Sequence, residues 1–583
     1  MKKQRPPKPQ SSDRRSIRPL SSSEATQDTL SPSTKFQTAL LLHQQGFLAD
    51  AVSIYHQILL SEPRNFDALQ LLGTAAAQIK DFEAAVVLFD QALSISPDHS
   101  GSLNNRGKAL FELHRYDDAL QSYDKAIIAN PYYADAYANR GNALLKLKRF
   151  DEAIKNFDQA LTVNPYHARS LNNRGNVLLE LRRYEDALLS YDQAITVNPD
   201  YADAHSNRGN ALLELKRYEE AIQSYDHAIA INPDYAEAYS NRGNVYRELK
   251  RYEDAIKNYD KAIAINPEYA AAHVNLSLLQ LLLGNYDQGL KEYEWRMKGD
   301  GVNFPKREFK KSLWLGNEDI NNKIILLYSE QGLGDSIQFC RYAKKVSVAG
   351  AKVILEVDQS LMSLLAQVDG VSQLVCKGDA LPPFDFQCPL LSLPLACKTT
   401  LEAIPSPWSY LVSDKAKVLQ WAEKLGVKTK PRIGLVWGGN ANHKNDHNRS
   451  IPLSFLLELP HDYQYISLQK EIGDADQEKL RFFSDILHVG NELHDFTDTA
   501  ALCELMDIVI SVDTSVAHVA GAMGKPVWIL LPFDPDWRWL LDRSDSPWYP
   551  SATLFRQEKV GEWSGVIKRV SCELEGKFMK NTD

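Results

Sequence analysis

Cysteine is scarce and unevenly placed: six thiols in 583 residues, at Cys340, Cys376, Cys388, Cys397, Cys503 and Cys572, all in the second half. None forms a Cys-x-x-Cys pair, and a chain this long needs no disulfide staples, so reduced thiols in a cytosolic compartment are expected. No apolar run of about 18 residues is present, so no helical membrane span is expected. The basic N-terminus lacks the apolar stretch of a secretory leader. Basic charge is also short: 66 Lys and Arg against 75 Asp and Glu leave a net charge of -9. Without a basic surplus to neutralise phosphates, nucleic acid is not an expected partner. Metal-ligand patterns are thin. His443, Asp446 and His447 are loosely spaced in a loop-like stretch, and no metal site is expected from them. Gly332 and Gly334 lack a third glycine, Ile337 standing where a dinucleotide fingerprint needs one, and only Asp358 offers an acidic end to the second strand.

What the chain has in abundance is period. Pro63, Pro97, Pro131, Pro165, Pro199, Pro233 and Pro267 fall 34 residues apart. Ala119, Ala153, Ala187, Ala221 and Ala255 keep the same interval. An aromatic follows each four residues later (Tyr123, Phe157, Tyr191, Tyr225, Tyr259), then Ala again from Ala126 to Ala262. Gly107, Gly141, Gly175, Gly209 and Gly243 mark the partner helix. Small residues let two antiparallel helices close on each other, and proline ends the second helix before the next unit. The pattern resembles the tetratricopeptide repeat, which implies an α-solenoid: stacked helix pairs wound into a superhelix with a concave groove. About eight units are expected over residues 35–300. The first is degenerate, and the eighth has lost its proline, as a terminal unit can. Residues 1–34 form a basic Ser/Pro-rich tail expected to be disordered.

One position of the first helices reads Asn105, Asn139, Asn173, Asn207, Asn241 and Asn275, with Asn142, Asn176, Asn210 and Asn244 three residues further on. Asn is a mediocre helix former. Its amide offers donor and acceptor together, suiting a peptide backbone of any sequence; the competing use is bridging neighbouring repeats. Arg106, Arg140, Arg174, Arg208 and Arg242 follow the ladder, and pairing with acidic neighbours is favoured for them over an electropositive stripe.

Beyond a connector (residues 301–322) the period changes. KIILLYSE, VILEVD, LVCK and FQCPL read as strands of one α/β lobe over residues 323–430. RIGLVWGG, YQYISLQ, ILHVG, IVISVD and VWILLP supply a second over residues 431–583. Ligands of such sheets lie beyond the strand C-termini. QGLGD follows the first strand of one lobe, and DTSVAH opens a small-residue helix in the other. There, backbone N–H groups with the Thr514 and Ser515 hydroxyls suit a diphosphate.

QGLGD, WGGNANHKNDHNRSIP, ISLQK, DTSVAH and PDWRWLLDRSDSPWYP together resemble the heptosyltransferase-like glycosyltransferases (glycosyltransferase family 9), of GT-B architecture with two facing Rossmann-like lobes. The whole plan is similar to that of the O-linked N-acetylglucosamine transferases, where a repeat superhelix feeds protein to a glycosyltransferase. The resemblance implies a metal-independent, inverting transfer from a nucleotide sugar, the donor being substrate and no cofactor being required. It implies Asp335 as general base, with a helix N-cap as the alternative. Donor contacts would come from Gly332, Gly334, Lys444, Arg449, Asp513, Thr514, Ser515 and His518. The family carries Lys followed by Trp-Pro where this chain reads RSIP, which leaves the donor open. The Trp-rich segment suits stacking on base or sugar, or packing at a domain edge. Two other functions stay open: a scaffold with a relic transferase domain, and a transferase acting on lipid or glycan whose repeats bind an assembly partner.

Overall fold

The computed structural model describes residues 31–298, 307, 309–440, 445–482 and 485–579. The tail to residue 30, the junction at 299–306, and His443 and Lys444 lie outside the described residues. The chain divides into two compact units, Met1–Pro233 and Asp234–Asp583.

Among the described residues of the first unit, twelve helices from Pro32–Gln44 to Tyr218–Ile231 form six pairs. Each pair closes where the sequence has no side chain to spare. A methyl group on Gly107, Gly175 or Gly209 would sit 2.5–2.7 Å from the ring of Tyr123, Tyr191 or Tyr225. Those rings and the flanking alanines are buried. Second helices open with acidic pairs such as Asp117–Asp118 and Glu185–Asp186, which suit the positive end of the helix dipole. The turn inside each pair needs a left-handed residue. Gly46 supplies it in the first pair, and Lys80, His114, Lys148, Arg182 and Lys216 in the next five.

The second unit begins with two more pairs: Ala236–Glu248 with Tyr252–Ile265, and Ala270–Leu282 with Tyr286–Tyr293. Its left-handed turn residues are Lys250 and Gly284. Two wholly parallel sheets follow. The first contains β1 (Ile324–Tyr328), β2 (Lys352–Val357), β3 (Val371–Cys376) and β4 (Phe386–Pro389) in the order β3-β2-β1-β4. The second contains β5 (Arg432–Val436), β6 (Gln464–Ser467), β7 (Ile486–His488), β8 (Ile508–Val512), β9 (Val527–Leu531) and β10 (Ala552–Arg556) in the order β10-β9-β8-β5-β6-β7. Counted from its own first strand, the second sheet has the doubly wound order 3-2-1-4-5-6, and the first sheet the 3-2-1-4 part of it. Strands β5, β8 and β9 are buried at every residue, as parallel strands covered on both faces must be.

Elements not foreseen in the sequence include β10, the helices Asp474–Phe482 and Phe496–Leu505, and the closing helix Ser564–Met579. The connector is also more than a tether. Leu313 bridges to Gln387 beside β4, the Trp314 N–H donates to the Gln387 carbonyl at 2.9 Å, and Trp314 is buried. One hydrophobic core runs from Tyr259, Leu279 and Tyr293 of the repeats through Leu327 and Phe339 to Trp537 and Trp548. The last two repeats therefore share their interior with the α/β domain.

Candidate functional site

Strand β1 ends at Tyr328, and Ser329, Glu330 and Gln331 lead to Gly332 and the helix Leu333–Phe339. Strand β8 ends at Val512, and Asp513 and Thr514 lead into the helix Ser515–Ala522. The two helices meet. A methyl group on Gly334 would lie 2.8 Å from the His518 ring, so glycine is required here for close approach. The sequence motifs that read as two strand ends in separate lobes are thus brought to one place, beyond the C-termini of both sheets.

Asp335 sits at this junction. Its Oδ2 accepts from the Gly332 N–H at 2.8 Å, satisfying a free donor at the helix start, and its Oδ1 accepts from Arg538 Nη2. Arg538 is buried. Its Nε donates to Gln338 Oε1 at 2.7 Å and its Nη1 to Asp536 Oδ1 at 2.8 Å. The reverse crossing is made by buried Arg341, which follows the Leu333–Phe339 helix and donates to the Trp548 carbonyl at 2.7 Å and the Tyr410 hydroxyl at 2.7 Å. Each sheet thus sends one buried arginine across to the other.

On the β8 side, burial and the nearby Asp536 carboxylate push the Asp513 carboxyl up to about 6, against the opposing pull of Trp539, Arg538 and Arg449. Arg449 Nη1 donates to the Asp513 carbonyl at 3.3 Å, and its Nε pairs with Asp446 at 3.2 Å. The Asp446 carboxylate also accepts from the Ser450 hydroxyl at 2.9 Å. His518 is buried, and its Nδ1 shares a hydrogen bond with the Tyr549 hydroxyl at 2.8 Å. Burial, then Arg538 and Arg341, hold His518 well below the ordinary histidine range, so it is neutral at physiological pH. The Thr514 hydroxyl lies 3.2 Å from that of Ser511, and Ser515 begins the helix. Gly332, Gly334, Asp335, Arg449, Asp513, Thr514, Ser515 and His518 therefore cluster, while Lys444 lies outside the described residues. Trp537, Trp539, Trp548 and Tyr549 are buried core residues, the packing alternative for that segment. Asp358 caps the turn after β2, accepting from the Ser360 N–H at 3.0 Å.

Sequence reasoning missed Arg538, Asp536, Arg341 and Gln338. Their signal was faint: arginine and aspartate inside an aromatic-rich segment, where charge must be paired to be buried.

In the repeats, the ladder amides lie between neighbouring first helices. Asn139 donates to Asn104 at 2.9 Å, Asn173 to Asn142 at 2.8 Å, Asn207 to Asn172 at 3.0 Å and Asn275 to Ser240 at 3.3 Å. Asn105 and Asn241 are half-buried at the same position. The Tyr191 and Tyr259 hydroxyls donate to Asn176 and Asn244 at 2.8 and 2.9 Å. The fourth repeat has Phe157 at that place, and there Asn142 accepts from Asn173 instead. The arginines pair as expected: Arg106 with Asp90, Arg140 with Asp124, Arg174 with Asp158 and Arg208 with Asp192, at 2.6–2.8 Å. Among the described residues no helix is long and apolar enough to cross a membrane.

Tetratricopeptide-repeat family models match residues 36–100 and 172–236, 134–167 and 236–269, 107–148, and 88–121. A curated relative, Protein FlbA of Caulobacter vibrioides, is 26% identical over 298 residues, covering 46% of this chain and 49% of the relative. The chain thus spans about half the length of that relative. Among solved structures, a tetratricopeptide repeat protein from Parabacteroides merdae is 20% identical, covering 43% of this chain and 98% of that one with a TM-score of 0.37. YrrB, described as a TPR protein with an unusual peptide-binding site, is 26% identical over 32% of this chain and 95% of its own, with a TM-score of 0.27. From about residue 36 to 270 this chain is an array of tetratricopeptide repeats.

Proposed function

We propose that the chain is a glycosyltransferase of GT-B architecture that moves a sugar from a nucleotide donor to a protein recruited by its repeats. The observation that carries this reading is the meeting of the post-β1 and post-β8 helices, which puts Asp335 and Asp513 beyond the ends of two doubly wound sheets. In the reaction, Asp335 takes the proton of an acceptor hydroxyl while that oxygen attacks the anomeric carbon and the bond to the nucleotide diphosphate breaks. Arg449, with Lys444, stabilises the departing diphosphate. Thr514, Ser515 and the backbone at the start of the Ser515–Ala522 helix hold its phosphates. Ladder asparagines that splice the repeats keep amide groups on the first helices, where a peptide is read.

The test is a thermal-shift screen with UDP-, GDP-, ADP- and CMP-linked sugars. One nucleotide class should raise the midpoint by mass action, and Arg449→Gln should abolish the shift. A scaffold without catalysis is favoured by one observation: both Asp335 oxygens already accept hydrogen bonds, from the Gly332 N–H and from Arg538. Silence across all four donors would establish that alternative. Given transfer, alanine at several ladder asparagines separates acceptor classes. Loss with a protein acceptor and retention with a short free acceptor identifies the groove as the recruiter.

A further inference from the structure

The last turn of the eighth repeat, Glu294–Met297, carries an arginine whose side chain is 1% exposed. Arg296 Nη2 donates to Glu330 Oε1 at 2.8 Å and to Ser392 Oγ at 2.7 Å. Its Nη1 donates to Glu294 Oε1 at 2.8 Å and to the Tyr293 carbonyl at 3.1 Å. The Ser392 hydroxyl donates in turn to Glu294 at 2.8 Å. Next in the chain to Glu330, Gln331 donates through Nε2 to the Tyr293 hydroxyl at 3.3 Å. Two consecutive residues just beyond β1 are therefore held by side chains of the repeats, through a charge pair whose loss would leave Glu330 buried and uncompensated while Arg296 kept Glu294.

We propose that Arg296 is the positioning residue of the segment Glu330–Asp335, so that the eighth repeat forms one wall of the candidate site. A positioning role in catalysis rests on the transferase reading; the structural part does not. Arginine suits this task because its planar fork serves Glu330 and Ser392 from one nitrogen and Glu294 from the other, whereas a lysine ammonium reaches only part of that set. Burial raises the Glu330 carboxyl above its ordinary value, with the Arg296 guanidinium pulling the other way.

The test uses the full chain and hydrogen exchange read by mass spectrometry. In Arg296→Lys, peptides covering residues 329–340 should exchange about tenfold faster while those of β5, β8 and β9 keep their rate. Arg296→Gln should loosen the segment further. The double variant Arg296→Gln/Glu330→Gln, which removes the Arg296–Glu330 pair and leaves only the more exposed Glu294 carboxylate, should restore part of the protection. Unchanged exchange in both single variants overturns the proposal. So does acceleration spread evenly over both sheets, which would make Arg296 a support of global stability alone. In a transfer assay Arg296→Lys should lower kcat about tenfold and change the donor KM by less than that, because of the donor groups only Gly332 and Gly334 lie on the loosened segment. Failure of the wild-type chain to bind any nucleotide would sink the transferase reading while the exchange result still decides the role of Arg296.

Discussion

Asp513 is held with its side chain 17% exposed, beside a second carboxylate, in a folded protein that would be easier to build with a neutral group there. Its folded-state value of about 6 lies above the ordinary aspartate value of 3.8. The folded protein therefore binds a proton that the unfolded chain has released between those values. Stability conferred by the protonated form is present below about pH 4 and lost as pH rises through 6. Asp513→Asn should equal the wild type in stability near pH 4 and exceed it by about 1–3 kcal/mol at pH 8, measured by urea titration at both pH values. His518, buried and neutral, acts in the other direction: its stability is present above the ordinary histidine value and falls away in acid. An equal stability gain at pH 4 and pH 8 would show that the carboxylate is not what the fold resists. A residue kept at a cost in stability is a sign of use, and Asp513 is where the donor would bind.

At the scale of the helix pair, glycine and aromatic form one device. A methyl group on Gly175 would meet the Tyr191 ring at 2.5 Å. Alanine is the better helix former by about 1 kcal/mol, yet overpacking of a closed core costs about 1–3 kcal/mol. Gly175→Ala should therefore lower stability, and a rise in the denaturation midpoint would refute the close-packing account. The turn between paired helices gives the opposite prediction. Lys148 has φ 58°, a left-handed conformation that costs a side-chain-bearing residue about 1–2 kcal/mol. Part of that is recovered in the unfolded state, where glycine is freer. Lys148→Gly should raise stability by about 0.5–1 kcal/mol, read from the shift in urea midpoint at constant slope. The end pairs already use glycine at this place, Gly46 and Gly284.

For the whole molecule the division matters more than the period. The second compact unit starts at Asp234, and its core joins Leu279, Leu282, Tyr286 and Tyr293 to Phe339, Trp537 and Trp548. Lys250 lies 3.5 Å from the Phe533 ring centroid, and Arg247 is 3.7 Å from Asp534. A chain beginning at Asp234 should unfold cooperatively. One beginning at Gly301, where the repeat period ends, should lack a stable tertiary structure. Near-ultraviolet circular dichroism and calorimetry of the two chains check this, and a cooperative transition in the shorter chain would contradict it.

The sequence alone determined whatever repeats or alternates locally. The 34-residue period sets the helix pairs because the inner pairs need a glycine, an aromatic and a proline at fixed intervals, which only the end pairs relax. Nine of the ten strands among the described residues were legible as short apolar runs between turns, since a strand buried on both faces must be apolar throughout. β10 escaped because ATLFR is neither long nor uniformly apolar. Which residues gather at the site was legible only as motifs at strand ends. Their company was decided by the tertiary structure. Arg538 reaches Asp335 across 203 positions of chain, and Arg296 reaches Ser392 across 96. A buried charge shows its partner only once the chain has folded around it, and no local pattern records a pairing made between two sheets or between a repeat and a strand.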